Sequence, residues 1–214
     1  MYRSLLCLLL LFGPVSGALA QSGWKFLTEK QGIKVYSQPV TGSKVKALRV
    51  ECELNTTASA LVTLLLDVPA AEDWVSHTKS CVLLKQVSPA ELYYYSEVNL
   101  PWPLENRDFV AHVKVSQDKE SGTVTVHAPA IPGWVADKKG IVRVNHSIGL
   151  WTIRILDKNR VSVSYSLQVD PGGMIPAWAV NALSSQGPID SFIKMKEMLK
   201  RPVYQNARLG FITD

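Results

Sequence analysis

The run at 161–170, VSVSYSLQVD, alternates an apolar residue with a polar one without interruption. Successive side chains of a β-strand point to opposite faces. Val161, Val163, Tyr165, Leu167 and Val169 therefore share one face, and Ser162, Ser164, Ser166, Gln168 and Asp170 share the other. A strand of this kind belongs to an antiparallel sheet that packs on one side and meets water on the other. The rest of the chain must supply what covers the apolar side.

Upstream segments repeat the pattern. KVKALRVECEL sets Leu48, Val50, Cys52 and Leu54 against Arg49, Glu51 and Glu53. RDFVAHVKV sets Arg107, Phe109, Ala111, Val113 and Val115 against Asp108, His112 and Lys114, and GLWTIRIL sets Trp151, Ile153 and Ile155 against Thr152 and Arg154. WKFLTEKQGIKVYSQ reads as two short strands around Gly32, and CVLLKQV with ELYYYSEVNL as a hairpin through Ser88, Pro89 and Ala90. TVTVHA and GIVRVNHS add two more, separated by the loop PAIPGWVADKK. Two stretches have helical spacing instead. NTTASALVTLLLDV carries Leu61, Leu64, Leu65 and Val68, with Asn55 or Thr56 as its cap, and ends at Pro69. The second runs from about residue 176 to 200, with Trp178, Leu183, Ile189, Phe192, Ile193, Met195, Met198 and Leu199 apolar and Gly187-Pro188 as an internal break or kink. Strands in series closed by one long C-terminal helix predict an α+β fold.

At 214 residues, 47% hydrophobic and 19% charged, the chain has the makings of one folded domain. Its first residues, MYRSLLCLLLLFGPVSGALAQSG, combine Arg3, an apolar run and an Ala18-Leu19-Ala20 site. They predict a secretory signal peptide at 1–20, a single domain over 21–214, and a periplasmic or secreted location. A membrane anchor needs about 20 apolar residues, and Gly13, Pro14 and Ser16 interrupt this run. The formal net charge of +5 is spread along the chain, so nucleic acid is not an expected partner, whereas transient contact with a membrane surface is. Cys52 and Cys81 have two readings: a disulfide, or two buried small hydrophobes.

Chemistry-bearing patterns are sparse. His77, His112, His127 and His146 stand singly, without a second ligand at metal-binding spacing, so no metal and no cofactor are expected. The carboxylate pairs Glu72-Asp73 and Glu51/Glu53 fall in a loop and on a polar strand face. Binding is favoured over turnover.

PWPLENRDFV together with DPGGMIPAWAVNALSSQGPIDSFIKMK resembles the START (steroidogenic-acute-regulatory-related lipid-transfer) domain family, nearest in flavour to its phosphatidylcholine-transfer branch. Trp74 and GIVRVNHSIGLWTI also fall in that family's order, so the likeness spans residues 24–200. It implies a helix-grip fold, with a curved antiparallel sheet wrapped around the C-terminal helix and an internal hydrophobic tunnel. The implied function is the binding or transfer of one lipid by a monomer, without catalysis. An enzyme of the same grip fold, cyclase- or hydrolase-like, is the alternative, and it would need an acid or base such as Glu97 or His127 in the tunnel. The export signal departs from the family's familiar cytosolic members. Val113 stands where the sterol branch would place a basic tunnel residue.

The resemblance points to Arg107, Tyr94, Phe109, Val113, Trp151, Tyr165, Trp178, Phe192 and Met195 as ligand-binding residues. Arg107 has two readings, because a guanidinium out of water needs partners: it closes a turn, or it meets a lipid head group. Tyr165 in the apolar row must find a hydrogen-bond partner when buried. Arg143, sharing a face with Asn145, reads as solvated. Trp102 and Trp134, in proline-rich loops, either pack on the sheet or touch a membrane interface.

Overall fold

A computed structural model describes residues 23–42, 45–173 and 175–214, with backbone alone for 177–185. The expected leader at 1–20 and the Trp178 side chain lie outside the described residues. Ten strands form one sheet: β1 (Lys25–Lys30), β2 (Ile33–Gln38), β3 (Ala47–Leu54), β4 (Thr78–Ser88), β5 (Glu91–Val98), β6 (Asn106–Gln117), β7 (Val124–Pro129), β8 (Ile141–Arg143), β9 (His146–Asp157) and β10 (Arg160–Asp170). Among the described residues four helices accompany them: α1 (Ala58–Leu66), α2 (Ala71–Trp74), α3 (Ala177–Met198) and α4 (Pro202–Gln205).

The strand order is β1-β2-β3-β10-β9-β7-β6-β5-β4, and every neighbour on that path is antiparallel. The alternating run at 161–170 is β10, seated centrally between β3 and β9, with Tyr165 opposite both Val50 and Trp151. Its polar row faces outward, as the pattern requires. Local chemistry sets the corners. Gln31 and Gly32 both adopt positive φ, 53° and 75°, the two-residue turn whose twist matches that of the paired strands β1 and β2.

The sheet curves around α3, which packs against β1, β2, β3 and α2. The α+β helix-grip expectation therefore holds, with local corrections. Thr57, and neither Asn55 nor Thr56, caps α1: its hydroxyl accepts from the Ala60 N–H at 3.1 Å. The helix α3 runs unbroken through Pro188, and the Ser191 hydroxyl donates to the Gly187 carbonyl at 2.9 Å. β8 pairs with β6 in parallel, which simple alternation does not reveal.

One end of the interior is plugged. Leu61 and Leu64 of α1, Ile153, Val161, Ile189 and Met195 are all sealed from solvent. The C-terminal tail pins this end: the Ser59 N–H donates to Asp214 Oδ1 at 2.7 Å, the Tyr204 hydroxyl to Asp67 Oδ2 at 2.8 Å, and the Thr213 N–H to Gln117 Oε1 at 2.8 Å.

Cys52 and Cys81 are both buried and free, which decides against a disulfide. Burial pushes each thiol from an ordinary 9.0 up to about 12. The unfolded chain thus releases these protons about three units earlier than the folded one. The associated stability is complete below about pH 9 and is lost as pH rises toward 12. We expect urea titrations to show a falling unfolding free energy across that window. Iodoacetamide mapping at pH 8 should leave both cysteines unmodified until denaturant is added.

Candidate functional site

The sequence Asn106-Arg107-Asp108 begins β6 at the end of the sheet away from the plug. Each of the three side chains holds a different loop. Asn106 Nδ2 donates to Glu97 Oε1 at 2.8 Å, and its Oδ1 accepts from the Leu100 N–H at 3.2 Å, fixing the 99–105 connection. Arg107 points inward and is only 5% exposed. Its guanidinium donates to the carbonyls of Glu105, Pro171 and Gly172. The last two lie in DPGG, where Gly172 and Gly173 take φ of 65° and 61° and wrap the backbone around the cation. A Cβ on Gly173 would stand 3.7 Å from Arg107 Nη2. Of the two readings, the geometry fits the one in which Arg107 closes a turn. Burial lowers its pKa from the ordinary value, as expected for a cation met by carbonyls and no carboxylate.

Asp108 points the other way and is 1% exposed. Arg143 grips it with two bonds, Nε to Oδ1 at 2.6 Å and Nη2 to Oδ2 at 3.0 Å. The Tyr95 hydroxyl adds a third at 3.1 Å, and Lys138 donates to that hydroxyl at 2.9 Å. Arg143 also takes the carbonyls of Val135 and Ala136. Its side chain is 9% exposed, so the expectation of a solvated Arg143 is corrected: the 130–140 loop folds over the outer face of β6 and buries it. Beside it, Trp134 stacks on Tyr93 and Tyr93 on His112, each pair at 4.1 Å between ring centres. His112 lies 2.6 Å from Glu91 Oε1, and this contact holds the Glu91 carboxyl below its usual range.

Between the clasp and the plug the interior divides. Val113, Trp151, Phe192 and Met195, four of the residues assigned to the ligand, are buried at 4%, 7%, 2% and 0%. Phe192 stacks on Trp151 at 5.5 Å, and Trp74 meets Trp151 edge-on at 6.5 Å. These residues belong to the packed half and border the open one. Tyr94, Phe109 and Tyr165 behave differently. They sit on inward rows yet remain only half-buried, as do Val98, Leu167 and Val169 beside them. Tyr94 and Phe109 meet edge-on at 5.9 Å, and Tyr165 stacks on Trp151 at 4.3 Å.

Neither tyrosine hydroxyl in this open half has a hydrogen-bond partner among the described residues. Burial raises both pKa values, that of Tyr165 to about 12; nearby Cys81 and Tyr165 add to the rise at Tyr94. The partner expected for Tyr165 is thus not supplied by the described protein. Glu97 faces outward to Lys79 at 2.8 Å and His127 is exposed, so neither supplies the acid or base that catalysis in the interior would need. Among the described residues no group of His, Cys, Asp and Glu could hold a metal ion.

A family model described as START domain matches residues 16–204. This chain belongs to the START domain family. An uncharacterized protein of Pseudomonas aeruginosa is 33% identical over 180 residues, which are 84% of this chain and 88% of that one. The phosphatidylcholine transfer protein of Bos taurus is 27% identical over 186 residues, 83% of this chain and 84% of its own. Among solved structures, a fragment of a STAR-related lipid transfer protein from Xanthomonas axonopodis has 32% identity and a TM-score of 0.76, covering 84% of this chain and 99% of that chain. In this START domain the two sequence patterns that carried the resemblance meet physically, since Arg107 of one binds the Pro171 and Gly172 carbonyls of the other. The Asp108–Arg143 pair has no direct mark in the sequence, where two opposite charges on strands that read as outward-facing are the available hint.

Arg107→Leu should lower unfolding stability by about 1–3 kcal/mol, because three carbonyls lose their donor. Asp108→Asn should cost more, about 3–5 kcal/mol, because the buried Arg143 loses its buried counter-charge and keeps only the exposed carboxylate of Asp137, 3.2 Å away. Urea melts of the two variants check both values and their order.

Proposed function

We propose that this START domain is an exported, non-enzymatic lipid carrier that holds one hydrophobic ligand in the open half of its interior. The observation that carries the reading is the contrast inside one apolar face. Val113, Trp151, Phe192 and Met195 pack to completion, while Tyr94, Phe109, Tyr165 and Leu167 face inward without being covered. A closed core would bury all of them. Burial of lipid tails there gains about 25 cal/mol per Å² of apolar surface. The bovine and Xanthomonas relatives, both named as lipid transfer proteins, support the same reading.

Entry and exit run through the end where 99–105, 130–140 and 170–176 converge. Trp102 in the first of these loops is 90% exposed and Trp134 in the second 44%, which suits both to the head-group layer of a bilayer. The carrier works as a monomer that touches membranes transiently, and α3 moves together with the loop that precedes it. Export rests on the leader pattern at 1–20. N-terminal sequencing of the native protein should give Gln21; a cytosolic protein that keeps Met1 would end that part of the reading.

Native mass spectrometry of protein purified from its own host should show one lipid per chain, and added lipid should raise the melting temperature. If no lipid co-purifies and no member of a broad lipid panel shifts the melt, carriage is not the function. Trp102→Ala should weaken pelleting with anionic vesicles while leaving the melting temperature of the free protein unchanged.

A further inference from the structure

Among the described residues, every charged side chain that could meet a ligand in the open half is already committed or points elsewhere. Arg107 is the charged residue on the inward rows of that half, and its guanidinium is spent on the carbonyls of Glu105, Pro171 and Gly172. Asp108, Glu97, Arg143 and Lys138 lie on the outer face and pair with one another or with Lys79, Asn106 and Tyr95. The helix segment that follows the DPGG loop, 177–185, reads AWAVNALSS and contains no ionisable residue. A phosphate or ammonium drawn into this space would lose its water and find no counter-charge.

The polar groups that do lack partners there are neutral. The Tyr94 hydroxyl on β5 and the Tyr165 hydroxyl on β10 lie on inward rows and face the same space from strands far apart in the sheet, close enough for Tyr165 to add to the rise at Tyr94. Ser37 gives an independent sign. It is 2% exposed, on the inward row of β2 with Ile33 and Val35, and its buried hydroxyl has no partner. Through β3 it lies in register with Leu48, which is opposite Leu167 of the open half. Natural interiors seldom leave a buried hydroxyl unpaired, so Ser37, together with the two half-buried tyrosine hydroxyls open to the same apolar space, marks where a ligand oxygen belongs.

We propose that this interior takes a lipid whose polar group is uncharged, an alcohol, ester or ketone oxygen held by the Tyr94 and Tyr165 hydroxyls, in preference to a lipid that must bring in a phosphate. The proposal rests on the lipid-carrier reading above and narrows it. Each phenol acts as a neutral donor, and it stays one because deprotonation in this apolar setting is strongly disfavoured.

The test uses the folded chain, purified and delipidated, with dioleoylglycerol, hexadecanol, dioleoylphosphatidylcholine, dioleoylphosphatidylglycerol and squalene as probes, scored by native mass spectrometry and by thermal shift. Dioleoylglycerol and hexadecanol should bind about tenfold or more tightly than either phospholipid. Tyr94→Phe and Tyr165→Phe should each weaken them about 3- to 10-fold, the size of one lost hydrogen bond, and leave squalene unaffected. Both variants remove only an unpaired hydroxyl, so their ligand-free melting temperatures should match that of the parent protein. Equal or tighter binding of either phospholipid overturns the proposal while leaving lipid carriage intact, and so does unchanged affinity for dioleoylglycerol in both Phe variants. Binding of none of the five probes overturns carriage and this proposal together.

Discussion

The structure depends most on the three-residue clasp at the start of β6. Asn106, Arg107 and Asp108 are consecutive, so the pleat sends Arg107 inward and its neighbours outward. One short stretch therefore fastens the 99–105 loop, the DPGG loop before α3 and the 130–140 loop over the outer face. The alternation that makes a strand amphipathic also lets one strand end tie loops on both sides of a sheet. Without Arg107 the mouth would have three carbonyls facing an apolar space, and without Asp108 the guanidinium of Arg143 would keep only the Val135 and Ala136 carbonyls and the exposed carboxylate of Asp137.

The division of the interior answers a conflict inherent in carrying a hydrophobic ligand. Space for a ligand forfeits packing, and each missing contact counts against a stability that amounts to only about 5–15 kcal/mol. Here the loss is confined. The plugged half, built from α1, the second part of α3 and the inner faces of β3, β7, β9 and β10, has its largest side chains sealed completely. The Trp74–Trp151–Phe192 stack forms the wall between the two halves, with Tyr165 leaning on it from the open side. A rigid wall of this kind lets the mouth rearrange while the core keeps its packing.

Much of this was legible in the sequence, for a specific reason. Period-two patterns in β3, β6, β9 and β10 reported which side chains face inward, and the inward rows match residue by residue. What alternation does not report is what covers the outer face. Asp108 reads as the wet side of β6 but is 1% exposed, because the strand itself does not announce that a loop ending at Arg143, 35 residues later, will fold back and add β8 in parallel. Arg143 was misread for that reason. Arg107 shows the converse limit: its misfit with Phe109 and Val113 was plain, but its partners lie 64 and 65 residues away, and only the folded chain brings them together. Cys52 and Cys81 were ambiguous because burial and pairing leave the same mark on a sequence.

Charge is sorted by side with little exception. The outer surface of β4, β5 and β6 holds a dense set of ion pairs and charged hydrogen bonds, from Lys79–Glu97 to Arg143–Asp108 and His112–Glu91, whereas the inner surface presents rings, aliphatic chains and hydroxyls. Ion pairs at the outer face cost less desolvation than they would inside, and they keep the mouth loops in place without placing a charge where a hydrocarbon must slide. The edge strand β4 follows the same logic. It exposes Val82, Leu83, Leu84 and Val87, but Lys79 and Lys85 on the same strand oppose edge-to-edge pairing with another sheet. The fold therefore keeps its charges where they position loops and deter aggregation. What the described residues leave to the interior is rings, aliphatic chains and a few neutral hydroxyls.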